Sequence, residues 1–79
     1  MRLDELSAGM NAVIDHIETR TADDIVARRL GELGFVPGEP VKVVAVGPFG
    51  GDPMAVKIGF TRFALRRTEA ARVILKERA

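Results

Sequence analysis

The 79-residue chain has no cysteine, tryptophan or tyrosine, a single histidine and only four phenylalanines. Without cysteine, disulfides, thiolate metal sites and thiol chemistry are all excluded. Small secreted domains commonly depend on disulfides, so this lack favours an intracellular setting. With aromatics confined to Phe35, Phe49, Phe60 and Phe63, the core has to be built from Val, Ile, Leu and Ala, and no stacking platform is evident. Long apolar runs are missing too. Met1 to Gly9 carries Asp4 and Glu5, unlike a signal peptide, and no stretch approaches the roughly 20 residues of a membrane span. Neither sign of charge dominates: 12 basic and 11 acidic side chains leave a net charge of +1. That balance gives no global footprint for nucleic acid or anionic lipid. The expectation is a soluble, cytoplasmic protein with no direct membrane insertion.

Hydrophobic residues make up 47% of the chain, enough for one globular core and too many for disorder. The length allows a single domain over residues 1–79, with a thin stability margin, because so short a chain buries only roughly 60% of its unfolded surface. Leu3-x-x-Leu6 followed by Gly9 reads as a short turn laying two leucines on the core. Met10 to Glu18 favours a strand through Val13, Ile14 and Ile17, curved so that its faces trade places. Thr21 is the expected N-cap of a helix, with Asp23 and Asp24 in the first turn where the helix dipole favours carboxylates. Ala22, Val26, Leu30 and Leu33 form its apolar stripe, and Asp24 and Arg28 lie at ion-pair spacing. Gly34 suits the left-handed position that ends a helix, with Phe35 folding back on the last turn.

Val36-Pro37-Gly38-Glu39 has the chemistry of a type II turn. Pro40 opens a strand whose near-continuous valines, Val41 to Val46, predict burial on both faces. Gly47 to Pro53 reads as a loop, and Met54, Val56 and Ile58 as the inward side of the next strand. A tight hairpin at Gly59 to Arg62 leads to a strand with Phe63 and Leu65 inward. One helical turn at Thr68 to Ala71 then precedes a last short strand with Val73 and Leu75. Five short strands and one helix after the first strand predict a mainly β protein, a small barrel closed mostly by antiparallel pairing.

The segment Arg29-Leu30-Gly31-Glu32-Leu33-Gly34-Phe35-Val36-Pro37-Gly38-Glu39-Pro40-Val41 resembles the RL-x-ELG-[LF]-x-PG-x-x-V signature of the FeoA family. Leu3-x-x-Leu6-x-x-Gly9, Gly51-Asp52-Pro53-Met54 with Val56, Ala64-Leu65-Arg66 and Glu69-Ala70 extend the likeness over nearly the whole chain. The resemblance implies an SH3-like barrel and a cytosolic accessory of bacterial ferrous-iron uptake. It also implies a partner, the cytoplasmic part of the FeoB-type membrane transporter, which carries a GTP-binding domain. FeoA-like domains also end iron- and manganese-dependent repressors, so a free-standing metal-responsive regulatory module is the alternative. No helix-turn-helix precedes the barrel here, so a complete repressor is not expected. Gly59-Phe60-Thr61-Arg62-Phe63 departs from the family pattern by being apolar and basic at a hairpin tip.

Catalysis is not expected, since no activated nucleophile, second histidine or phosphate-binding glycine loop is present. Gly47-x-x-Gly50-Gly51 has neither the spacing nor the ending of a P-loop. His16 with Asp15 and Glu18 is the one weak metal candidate; a single histidine without a third ligand reads first as a surface side chain. No cofactor is expected. Lys57, Arg62, Arg66, Arg67 and Arg72 make the later strands locally basic, which reads as a solvated face, then as a contact for an acidic protein, and last as a nucleic-acid groove. Phe49 and Phe60 sit at glycine-flanked tips, either tucked down or offered to a partner. The candidate partner-binding residues are therefore Phe49, Phe60, Arg62, Arg66, Arg67 and, on the helix, Arg28, whereas Leu30, Leu33, Gly34, Pro37 and Gly38 shape the fold.

Overall fold

The computed structural model describes residues 1–77, so the last two positions of the expected 1–79 domain lie outside the described residues. A 3₁₀ turn at Leu3–Glu5 comes first, followed by β1 (Asn11–Ile17) and helix α1 (Ile25–Leu33). Strands β2 (Pro40–Gly47), β3 (Gly51–Ile58) and β4 (Thr61–Leu65), the short helix α2 (Arg67–Ala70) and β5 (Val73–Leu75) complete the order. All pairings are antiparallel, in the sheet order β4-β3-β2-β1-β5. The architecture is the expected one, mainly β with a helix after the first strand. The closure is not, because β4 and β5 remain at opposite edges and do not pair.

One contiguous core joins the 3₁₀ turn to the sheet: Leu3, Ile14, Phe35, Val41, Val43, Val56, Ala70 and Val73 are its most deeply buried members. In β1 the pairing register shifts between Ile14 and His16, which is the change of face that the imperfect alternation predicted. Met54, Val56 and Ile58 point inward along β3 as expected, and Leu65 does so on β4. Half-buried Phe63 sets its ring 5.3 Å from that of Phe35. In β2, burial on both faces is corrected. Val41 and Val43 are buried, whereas Lys42 and Ala45 are exposed; beyond the bulge after Val43, Val46 pairs with Met54 on the inner face but lies near the end of the strand and is 46% exposed. The expected Gly47–Pro53 loop also shrinks to Pro48–Gly50, since both flanks have joined the ladder.

Helix α1 starts later than its sequence suggests. Asp24, not Thr21, is the N-cap, its carboxylate accepting the Ala27 N–H at 3.1 Å. The same carboxylate accepts the Arg20 N–H at 2.9 Å and the Arg72 guanidinium at 2.8 Å. Arg72, 48 residues on, thus takes the place expected for Arg28, which pairs with Asp23 instead. Beginning at Ile25 moves Ala22 off the helix, buries Ala27 with Leu30, and leaves Leu33 largely exposed. At the other end the expectations stand. Gly34 is left-handed with φ +111°, and buried Phe35 returns its N–H to the Leu30 carbonyl at 3.0 Å. The Pro37-Gly38 turn closes with Glu39 N–H on the Val36 carbonyl at 3.1 Å.

Two glycines in and after α1 should respond oppositely to the same substitution. A Cβ would meet nothing within 4 Å at either Gly31 or Gly34, so only backbone preference acts. Gly31→Ala is expected to stabilise the chain by about 0.5–1 kcal/mol in chemical denaturation. Gly34→Ala or Gly34→Val should cost about 1–2 kcal/mol, because a side chain is strained at positive φ. The hydrogen bond from Arg72, with those from the Arg20 and Ala27 amides, holds the Asp24 carboxyl well below its ordinary value of 3.8, outweighing the opposing effect of burial. A depressed carboxyl stabilises the fold fully above its ordinary range and loses that contribution as pH falls through the lowered value. The Tm gap between wild type and Asp24→Asn should therefore be widest near neutrality and narrow below about pH 4.

Candidate functional site

The two exposed aromatics occupy opposite ends of the same strand. Phe49 tops the β2–β3 connection and is 83% exposed, while Phe60 tops the β3–β4 turn and is fully exposed. The eight residues of β3 separate them by roughly 23 Å at about 3.3 Å per step. Both are thus presented rather than tucked against the sheet, and they belong to different patches.

The basic candidates divide by what their side chains already hold. Arg67 is committed to the fold: its guanidinium donates to the Gly50 carbonyl at 2.8 Å and its N–H to Asp52 at 2.7 Å. Arg72 is committed to Asp24 and to the Thr68 carbonyl, and Arg28 to Asp23. Arg62 and Arg66 have no carboxylate partner for their guanidinium groups among the described residues. Both are exposed: Arg62 lies on β4, and Arg66 follows two residues past Ala64, just beyond the strand's end, leading away from Phe60. Phe60, Arg62 and Arg66 therefore form one strip, and Phe49 lies beyond its far end beside Arg67.

The metal candidates do not converge. His16 Nδ1 lies 2.6 Å from Asp15 Oδ2 on the exposed side of β1. Glu18 turns to Arg2, 3.0 Å away, and that hydrogen bond lowers its pKa. Among the described residues, no group of three or more histidine, aspartate or glutamate side chains is placed to hold a metal ion.

Two apolar depressions escaped the sequence reading. The larger, about 910 Å³, is lined by Met1, Leu6, Met10, Val13, Pro40 and Leu75. The smaller, about 250 Å³, runs between α1 and β4 and is lined by Val26, Leu30, Leu33, Phe63, Ala64 and Leu65, with the charged Arg29 and Glu69. The exposure of Leu33 was its only available signal, and the stripe pattern had assigned that residue to the core.

A model of the FeoA domain matches residues 1–77 of this sequence. The chain belongs to the FeoA family. It is 38% identical over 73 residues to a Fe(2+) transport protein A/Fe(2+) transporter FeoB fusion protein of Porphyromonas gingivalis. That match takes in 92% of this chain and 8% of the relative's length. Among solved structures, FeoA of Stenotrophomonas maltophilia, an SH3 domain protein complexed with zinc, superposes with a TM-score of 0.90 at 53% identity, covering 96% of this chain and 89% of that one. Iron(II) transport protein A of Clostridium thermocellum gives 0.82 at 36% identity, covering 96% and 44%. A manganese-dependent transcriptional repressor at 19% identity and TM-score 0.78 shares the fold alone, over 92% of this chain and 39% of its own. The FeoA assignment fits the open, SH3-like sheet.

Because neither tip aromatic packs on the core, Phe49→Ser and Phe60→Ser should each leave stability within about 0.5 kcal/mol of wild type in denaturant melts. A larger loss at either would mean that the ring is folded onto the sheet in solution.

Proposed function

We propose that this chain is a small, non-catalytic cytoplasmic accessory of ferrous-iron uptake that binds the cytoplasmic part of a FeoB-type transporter by protein–protein contact. The carrying observation is the Porphyromonas gingivalis relative, in which the corresponding segment and the transporter are one polypeptide. Joining two modules in one chain raises their effective concentration, so a contact too weak to persist between free proteins can be occupied.

The strip of Phe60, Arg62 and Arg66 is the surface this reading favours. Aromatic and arginine side chains dominate binding energy at protein interfaces, and these three are exposed without an internal commitment. Arg67 and Arg28 contribute less, because binding through them would first have to break contacts made within the chain. The complement of such a strip is an acidic protein surface. No catalytic step and no resident cofactor enter this reading, and the repressor alternative rests on likeness of fold alone.

Calorimetry with the purified cytoplasmic region of the cognate transporter, loaded with GDP or with a non-hydrolysable GTP analogue, tests the proposal. A micromolar Kd is expected in at least one nucleotide state. Phe60→Ser combined with Arg62→Glu should weaken it by at least about tenfold, or about 1.4 kcal/mol, at unchanged Tm. Absence of binding up to high micromolar concentration in both states would defeat it.

A further inference from the structure

The two edges of the sheet are finished differently. At the β5 edge the N-terminal segment completes the ladder: Arg2 bridges Ile74, and the Leu75 N–H donates to the Met1 carbonyl at 2.8 Å. At the β4 edge no described residue pairs with the strand on its outer side. The β3–β4 connection is the two-residue turn Gly59-Phe60, with positive φ at Gly59 only, as in a type II′ hairpin. Such a turn is flanked by a hydrogen-bonded pair, here Ile58 and Thr61, and antiparallel pairs then alternate. Thr61, Phe63 and Leu65 consequently direct their backbone groups toward β3. Arg62 and Ala64 direct theirs to the open side, where they form a short template for one more strand.

What such a strand would carry follows from the alternation of β4 itself. Phe63 and Leu65 lie on the face that lines the cleft beside α1, together with Val26, Leu30 and Leu33. Arg62 and Ala64 alternate with them and are exposed, although Ala64 also borders the cleft, and Arg66 follows just past the end of the strand. A neighbouring strand shares that pleat, so every second side chain would enter the apolar cleft and the intervening ones would lie beside the two arginines. At about 250 Å³ the cleft admits side chains of an extended segment but not a helix, which is about 10 Å across. Self-pairing centred on Ala64 would set Arg62 of one copy against Arg66 of the other, and like charges directly opposite disfavour that register.

We propose that the β4 edge binds an extended peptide segment of alternating apolar and acidic residues by strand addition, the apolar side chains entering the α1–β4 cleft. This deepens the transporter reading, on which it rests only for the identity of the chain that supplies the segment.

The test is an amide-resolved NMR titration of the full chain with two synthetic peptides, acetyl-(Val-Glu)4-Val-amide and its lysine counterpart acetyl-(Val-Lys)4-Val-amide. The glutamate peptide should shift the Arg62 and Ala64 amide signals and slow their hydrogen exchange, with at least tenfold weaker response to the lysine peptide. Ala64→Pro removes an outward N–H without taking a bond from the β3 ladder, and should weaken glutamate-peptide binding at least tenfold. Should that variant fail to fold, Arg62→Glu/Arg66→Glu serves instead and should reverse the preference between the peptides. No response at those two amides with millimolar glutamate peptide, or equal response to both peptides, would overturn the proposal. So would peptide-free, concentration-dependent shifts along β4, which mark self-pairing. Transporter binding undiminished in Ala64→Pro overturns strand addition and spares the transporter reading. Glutamate-peptide binding without any transporter binding does the reverse.

Discussion

The buried carboxylate of Asp24 governs how the helix meets the sheet. It accepts from the Ala27 amide, caps α1, receives the Arg20 amide from the approach to the helix, and pairs with Arg72 just before β5. Arg72 in turn reaches the Thr68 carbonyl, so one ionic contact ties the β1–α1 connection to the α2–β5 connection. A buried charge of this kind is stabilising only while its partner is present, because either group alone would be left desolvated. The pair therefore constrains geometry more than it adds stability. It fixes where α1 begins, and through that which side chains reach the core and which remain beside β4.

That dependence explains what could be read from the sequence and what could not. The end of α1 and the turn after it were legible because their causes are local. A left-handed glycine, a following phenylalanine and a Pro-Gly pair act within a few residues of one another. The inward phase of Met54, Val56 and Ile58, and of Phe63 and Leu65, was legible for the same reason, since period two needs no knowledge of the partner strand. The start of α1 was not. Thr21 and Asp24 are both acceptable caps, and the choice is made by an arginine 48 residues away. The valines of β2 misled because their residue type reports β propensity and neither what covers the strand nor where a bulge shifts its register.

The candidate site was legible as a set of residues but not as a surface. Phe49, Phe60, Arg28, Arg62, Arg66 and Arg67 are all outside the core, which the sequence had left open for the two phenylalanines. Which of them are available depends on hydrogen bonds that only the fold reveals. Arg67 holds the β2–β3 tip through the Gly50 carbonyl, and Arg28 is taken by Asp23. The remaining two arginines flank Ala64 at even spacing, Arg62 on β4 and Arg66 just past its end, and Phe60 joins them because the turn is so tight.

The open edge has a cause in the same contacts. Asp52 accepts the Arg67 N–H at 2.7 Å and Gly50 accepts the Arg67 guanidinium, so the chain leaving β4 is pinned against the start of β3. It then turns through α2 toward the far side of the sheet, where β5 finds β1. Beyond β5 the edge is taken by Met1 and Arg2, leaving β5 no free side to offer β4. Closure of the barrel is thus prevented from both directions, by an anchored exit at β4 and an occupied edge at β5. A closed sheet of these strands would be the safer solution against aggregation. Among the described residues, one short edge is left unpaired, two arginines without carboxylate partners lie along it, and an apolar cleft sits beside it. Charge along an edge whose backbone groups are free disfavours a like-charged strand and favours one bearing the opposite charge.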